Sequence, residues 1–199
     1  MRNKKYMITD ETTITIEGTF HRIKALKDFG NVKAGQLGGW IKKKRNLSQK
    51  GLCWIDENVM VYDNAKIYGN AIVSGDALVC GDVLICGDVI ISGNTMVYGY
   101  ASISGNAKVI GIFSEKKDGK KAEFFATIIG DYAIVNGNAL ICGEVKVLQY
   151  GKVSGNASVL GTDIIRGFSR VKGNTAKIDG LIVSQEDIDK YMAGLTIKL

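Results

Sequence analysis

Proline is absent from this 199-residue chain. Its ring replaces an amide hydrogen and so removes a ladder donor, which is why a chain that is strand nearly throughout avoids it. Histidine occurs once, at His21, so general-base chemistry near neutral pH has a single imidazole to draw on. No window approaches 18 consecutive apolar residues, and no transmembrane span is expected. The opening MRNKKYMITDETT carries charge but no apolar run, so it does not read as a secretory signal. A cytoplasmic location is the resulting expectation. The four cysteines, Cys53, Cys80, Cys86 and Cys142, show no C-x-x-C spacing. They read as reduced thiols, with no disulfide framework and no metal site.

What is present is uneven charge and a strict repeat. Residues 1–50 hold 12 Lys/Arg against 4 Asp/Glu, while residues 51–199 hold 14 against 16. The net charge of +6 therefore belongs to the N-terminal quarter. From Gly51 the chain counts in sixes: GLCWID, ENVMVY, DNAKIY, GNAIVS, GDALVC, GDVLIC, GDVIIS, GNTMVY, GYASIS, GNAKVI. The fifth position is always Val or Ile, from Ile55 to Val109. The third is small, and the first two are turn residues able to take positive φ. A second array carries Val135, Ile141, Val147, Val153, Val159, Ile165 and Val171 at the same position. The step from Val109 to Val135 is 26 residues, not a multiple of six, so an insertion separates the arrays.

Each unit reads as a short strand and a tight turn, with the aliphatic residue and the small residue two before it pointing inward. Three units close one triangular coil, and coils stack at the spacing of parallel strands, about 4.8 Å. Seventeen units make nearly six coils. The fold expected is all-β: a single-stranded parallel β-helix, or hexapeptide-repeat solenoid, whose raw ends need covers. Residues 1–50 form the N-terminal cap, with TTITIEGTFHRIKAL (12–26) an antiparallel hairpin turning near Glu17-Gly18. Residues 51–110 are the first array and 131–183 the second. Residues 111–130 are an inserted loop or hairpin whose charged centre runs from Glu115 to Lys121. Residues 184–199 supply a capping helix, with Ser184 as N-cap, Asp187 at N3 and Gly194 as the stop; LTIKL adds a last strand.

Asp28-Phe29, Val32-Lys33-Ala34-Gly35, Gly38-Gly39-Trp40, Leu47-Ser48-Gln49 and Cys53-Trp54-Ile55, within residues 22–73, resemble the N-terminal portion of the YdcK-like proteins. These are uncharacterised hexapeptide-repeat proteins labelled acyltransferases. The resemblance implies a left-handed coil, and similar proteins also occur in phage and prophage settings. It adds little about activity, because fold alone does not fix function.

An acyltransferase of this class needs a general base beside a groove between coils where acetyl-CoA lies. His21 is the weak candidate, and it falls in the hairpin rather than on a repeat face. No catalytic residue is assigned, and no cofactor is expected unless the acyltransferase reading holds. No phosphate-binding loop occurs in a strand-to-helix setting. Asp76, Asp82 and Asp88 read as turn formers, not metal ligands.

The outward fourth and sixth positions are apolar where a wet face would be polar. Stacking units three apart gives one column of Trp54, Ile72 and Ile90, and another of Met60, Leu78 and Met96 beside Tyr62, Cys80 and Tyr98. Contiguous exposed apolar stripes mark interfaces. They point to a dimer or trimer, or to a host protein partner. Lys42, Lys43, Lys44 and Arg45 form a second candidate, able to meet an anionic partner and, less fittingly, nucleic acid without base reading. The function read from the sequence is a non-enzymatic, homo-oligomeric binding or scaffold module, one form of which is a phage-encoded inhibitor of a host protein. The rival is an acetyl-CoA-dependent acyltransferase acting on a sugar or small molecule.

Overall fold

The computed structural model describes residues 4–111 and 126–193. The chain is a parallel β-solenoid of about seven turns with a hairpin at its N-terminal end and a short helix near its C-terminal end. Three parallel sheets form the walls of a prism. Wall one runs through Leu37–Ile41, Met60–Val61, Leu78–Val79, Thr95–Val97, Thr127–Ile129, Lys146–Val147 and Ile164–Ile165. Wall two runs from Lys66–Ile67 to Arg170–Val171, and wall three from Trp54–Ile55 to Ala176–Ile178. Parallel registry places the fifth positions directly above one another, as in Val61↔Val79 and Ile67↔Ile85. The inward columns Ile41, Val61, Val79, Val97, Ile129, Val147, Ile165 and their counterparts on the other walls are buried in one continuous core. Burying each Val or Ile contributes about 2 kcal/mol before ordering entropy. Toward the C-terminal end polar residues enter the inward set: Asp163 is buried, and Lys177 takes the position above Val159.

The period of six understates the coil count at two places. The first coil is built from Ile41, Leu47 and Ile55, and Leu47 bridges to Ile67. Eight residues rather than six separate Leu47 from Ile55, so counting back from Gly51 loses the register. The interruption is also shorter than residues 111–130. Thr127–Ile129 pairs in parallel with Thr95–Val97 and with Lys146–Val147, so Ile129 is a rung like any other. The charged centre from Glu115 to Lys121 lies outside the described residues, as do Gly194 and LTIKL.

Strand β1 (Tyr6–Thr15) pairs antiparallel with β2 (Gly18–Ala25), and β2 pairs with β3 (Leu37–Ile41), the first rung of wall one. The hairpin extends wall one and, with the residues that follow it, covers the end of the core: Tyr6, Ile23, Ala25, Phe29 and Val32 are buried with the first coil, and the Tyr6 hydroxyl donates to the Leu47 carbonyl at 2.6 Å. Helix α1 (Gln185–Ala193) begins with a capping box. The Ser184 hydroxyl donates to Asp187 Oδ2 at 2.7 Å and accepts from the Asp187 N–H at 3.3 Å. The expected end cap is instead a side cover. Ile188 packs with Ile110, Cys142, Leu160 and Ala176, all outward residues of wall three. Among the described residues no helix is long and apolar enough to cross a membrane.

This cover makes a prediction. Burial under the helix pushes the Cys142 thiol up to about 11. At pH 8 that leaves on the order of 100-fold less thiolate than an ordinary cysteine. Iodoacetamide at pH 8 should label the half-buried Cys86 and leave Cys142 unlabelled. Ile188→Asp, which dislodges the helix, should bring Cys142 into reaction. Equal labelling of Cys142 in both proteins would contradict the packing.

Candidate functional site

Wall one carries an apolar outward stripe. Its fourth positions stack as Trp40, Met60, Leu78, Met96, Ile128, Lys146 and Ile164. Met96 is exposed, and Met60, Leu78 and Ile128 are half-buried. Tyr62, Cys80 and Tyr98 run alongside, and burial pushes the Cys80 thiol and both phenols up. The Tyr98 ring lies over Gly130, where a Cβ would meet it at 2.3 Å. Charge bounds the stripe at both ends. Arg22 sits 5.1 Å from the centroid of the Trp40 ring and bonds Glu11 at 3.2 Å and Glu57 at 3.1 Å. Lys146 lies at the other end. An apolar centre with a charged rim is the anatomy of a protein interface.

The corner between walls one and two adds what the sequence reading missed. Tyr100, Tyr132, Tyr150 and Phe168 stack face to face, with ring centroids 4.9, 5.1 and 5.1 Å apart and planes within 10°. All four are exposed. Each ring sits at the second position of its hexad, and registry over successive coils stacks them. Counting second positions in coils, with the interruption placed correctly, was the signal that would have found them. The matching position of the next corner carries polar side chains, and an amide ladder runs Asn106–Asn138–Asn156–Asn174 at 2.9 to 3.0 Å. Ile134, exposed on wall two, continues the apolar surface past the aromatic corner.

Two of the nine expected interface residues are covered by the chain itself. Trp54 is 1% exposed, its ring edge-on to Phe29 at 5.5 Å. Tyr62 is 8% exposed, edge-on to Phe20 at 5.5 Å. In both cases an aromatic residue of the first thirty folds back on the wall. Ile72 remains exposed and Ile90 half-buried on wall three.

Within the run from Lys42 to Arg45, two of the four cations are tied to the chain's own polar groups. Lys42 Nζ bonds the Glu17 carbonyl in the hairpin turn. Arg45 donates to Asn64 Oδ1 at 2.5 Å. Lys43 and Lys44 are exposed. Their local structure is fixed by Asn46, whose Oδ1 accepts from the Lys43 N–H at 2.7 Å and whose Nδ2 donates to the Ala65 carbonyl at 2.9 Å.

His21 stands on β2, opposite Thr12 on one side and Ile41 on the other. A cleft of about 430 Å³ lies at the corner between walls three and one, lined by Gln36, Leu37, Asp56, Glu57, Asn58 and Gly75. His21 is not among its lining residues. Burial, then the neighbouring Glu57 carboxylate, raise the Asp56 carboxyl above its usual range. Among the described residues no group of three His, Cys, Asp or Glu side chains converges on a metal position.

Residues 65–81 match the YdcK β-solenoid repeat family. Over an alignment of 68 positions, which covers 30% of this chain, the sequence is 35% identical to the uncharacterized acetyltransferase YdcK of Escherichia coli strain K12. That alignment takes in 21% of the relative, so the chain spans about one fifth of its length. The repeat and the coil geometry together make this chain similar to the YdcK-like β-solenoid proteins over that part of its length.

Proposed function

We propose that the chain is a surface-presenting solenoid module that associates with copies of itself through wall one and its aromatic corner. The observation that carries this reading is the continuity of the apolar surface. Met60, Leu78, Met96 and Ile128 lie in one parallel column, and the Tyr100–Phe168 ladder starts beside Met96 and Ile128 and carries the surface on over the next two coils, beside Lys146 and Ile164. A soluble chain rarely leaves so contiguous a surface open to water. A flat wall built of repeating coils suits side-by-side packing of two or three copies under closed symmetry. The ladder suits the same role, because stacked rings are stiff and lose little side-chain freedom on docking.

A second reading, an acetyl-CoA-dependent acyltransferase, is supported by the name of the E. coli relative. Its general base would have to be His21 or the raised Asp56 carboxyl. Isothermal calorimetry with acetyl-CoA separates the two readings. The scaffold reading expects no saturable heat at millimolar ligand. A saturable isotherm, with acyl transfer to an acceptor that Asp56→Asn or His21→Ala abolishes while the binding heat remains, would replace it with the enzyme.

A further inference from the structure

Lys5 and Cys53 form a buried pair with no part in the interaction surface. Lys5 is 2% exposed and Cys53 is fully buried. Lys5 Nζ lies 3.2 Å from Cys53 Sγ, 2.7 Å from the Cys53 carbonyl oxygen and 3.3 Å from the Gly51 carbonyl oxygen. The Phe29 ring stands 5.1 Å away and closes the site. The two residues are far apart in sequence. Lys5 precedes β1, and Cys53 sits at the corner entering the Trp54–Ile55 rung of the first coil. A bond between them would tie the root of the hairpin to the solenoid.

We infer that Lys5 and Cys53 are a redox-modification site, forming a reversible nitrogen–sulfur cross-link when the chain meets a peroxide. The geometry already holds nucleophile and electrophile in contact. Hydrogen peroxide oxidises the Cys53 thiol to a sulfenic acid and releases one water. The Lys5 amine lone pair then forms the N–S bond, and the sulfenic hydroxyl leaves with an amine proton as a second water. Sulfur loses two electrons, and the peroxide O–O bond takes them up. Sulfenic acids condense with nearby nitrogen in this way, and a thiol reverses the product. The amine must be neutral to attack. Burial, the largest influence on it, pushes Lys5 below its ordinary value, the direction that favours the neutral form. Peroxide is water-sized, so brief opening at the head of β1 admits it. Bulkier reagents do not share that route.

Cys80 and Cys86, the half-buried thiols, set the background. The test is therefore made in the full chain carrying Cys80→Ser and Cys86→Ser. The protein is treated with millimolar hydrogen peroxide, quenched, digested and mapped by mass spectrometry. The expected product joins the Lys5 and Cys53 peptides, lighter than their sum by two hydrogens, about 2 Da. Dithiothreitol should release both peptides unmodified. With Lys5→Met, Cys53 should pass on to sulfinic acid and the joined peptide should vanish; circular dichroism checks that this variant is folded. If it is not, mapping of the parent decides alone. In the parent, Cys53 carrying two or three oxygens with Lys5 free would overturn the inference. So would Cys53 remaining a thiol under peroxide that oxidises an unfolded control.

Discussion

The Leu78→Lys/Met96→Lys variant should sediment as a monomer of 21.5 kDa with its β-sheet spectrum unchanged. The fold should tolerate both lysines. Each replaced side chain points outward at the fourth position of its hexad, where Lys66, Lys108, Lys146 and Lys152 already stand on other rungs. Neither touches the inward columns, which carry the hydrophobic stabilisation. The interface should not tolerate them. Two ammonium groups facing the same groups on a symmetric partner would be desolvated and unpaired, costing several kcal/mol in all. A dissociation constant higher by roughly 100-fold or more is expected. Ile72→Lys/Ile90→Lys, on wall three, is the matched control and should leave the association close to that of the parent. Dissociation by the control and not by the test variant would move the interface to wall three.

The second large effect falls on stability. Gly75 has φ +72°, and a Cβ there would lie 2.5 Å from the Gly93 nitrogen and 2.7 Å from its carbonyl oxygen. Gly173 has φ +71° but nothing within 4 Å. Both alanine substitutions incur the left-handed backbone cost, about 1–2 kcal/mol. Only Gly75→Ala must also push two coils apart, because the colliding atoms are backbone and cannot rotate away. Its total should reach about 4 kcal/mol, the range that signals a named steric failure. That corresponds to a fall in Tm of roughly 10 °C, against a few degrees for Gly173→Ala. Parallel thermal melts followed by circular dichroism make the comparison. Equal losses at the two sites would mean that the corners are not held at backbone contact.

Much of this architecture is written in the hexad. A side chain's wall, its depth and its neighbours above and below follow from its position modulo six and modulo eighteen. That is why the Met60–Leu78–Met96 and Trp54–Ile72–Ile90 columns could be assigned from sequence and recur in the registry. What the period cannot carry is anything set by a departure from it. The two extra residues before Ile55 hid the first coil, and fourteen inserted residues hid the Ile129 rung and split the aromatic column between Tyr100 and Tyr132. Nor does the period report what lies over a wall. Phe29 on Trp54, Phe20 on Tyr62 and Ile188 over Cys142 are long-range contacts made by non-repeating segments. Their partners are outward positions in the repeat and interior positions in the molecule.

The central claim is that wall one is a contact between copies. Native mass measurement of the unmodified chain over a micromolar concentration series tests it most directly. The account predicts a species at two or three times 21.5 kDa that persists at the low end of the series. A single species at 21.5 kDa throughout would contradict it.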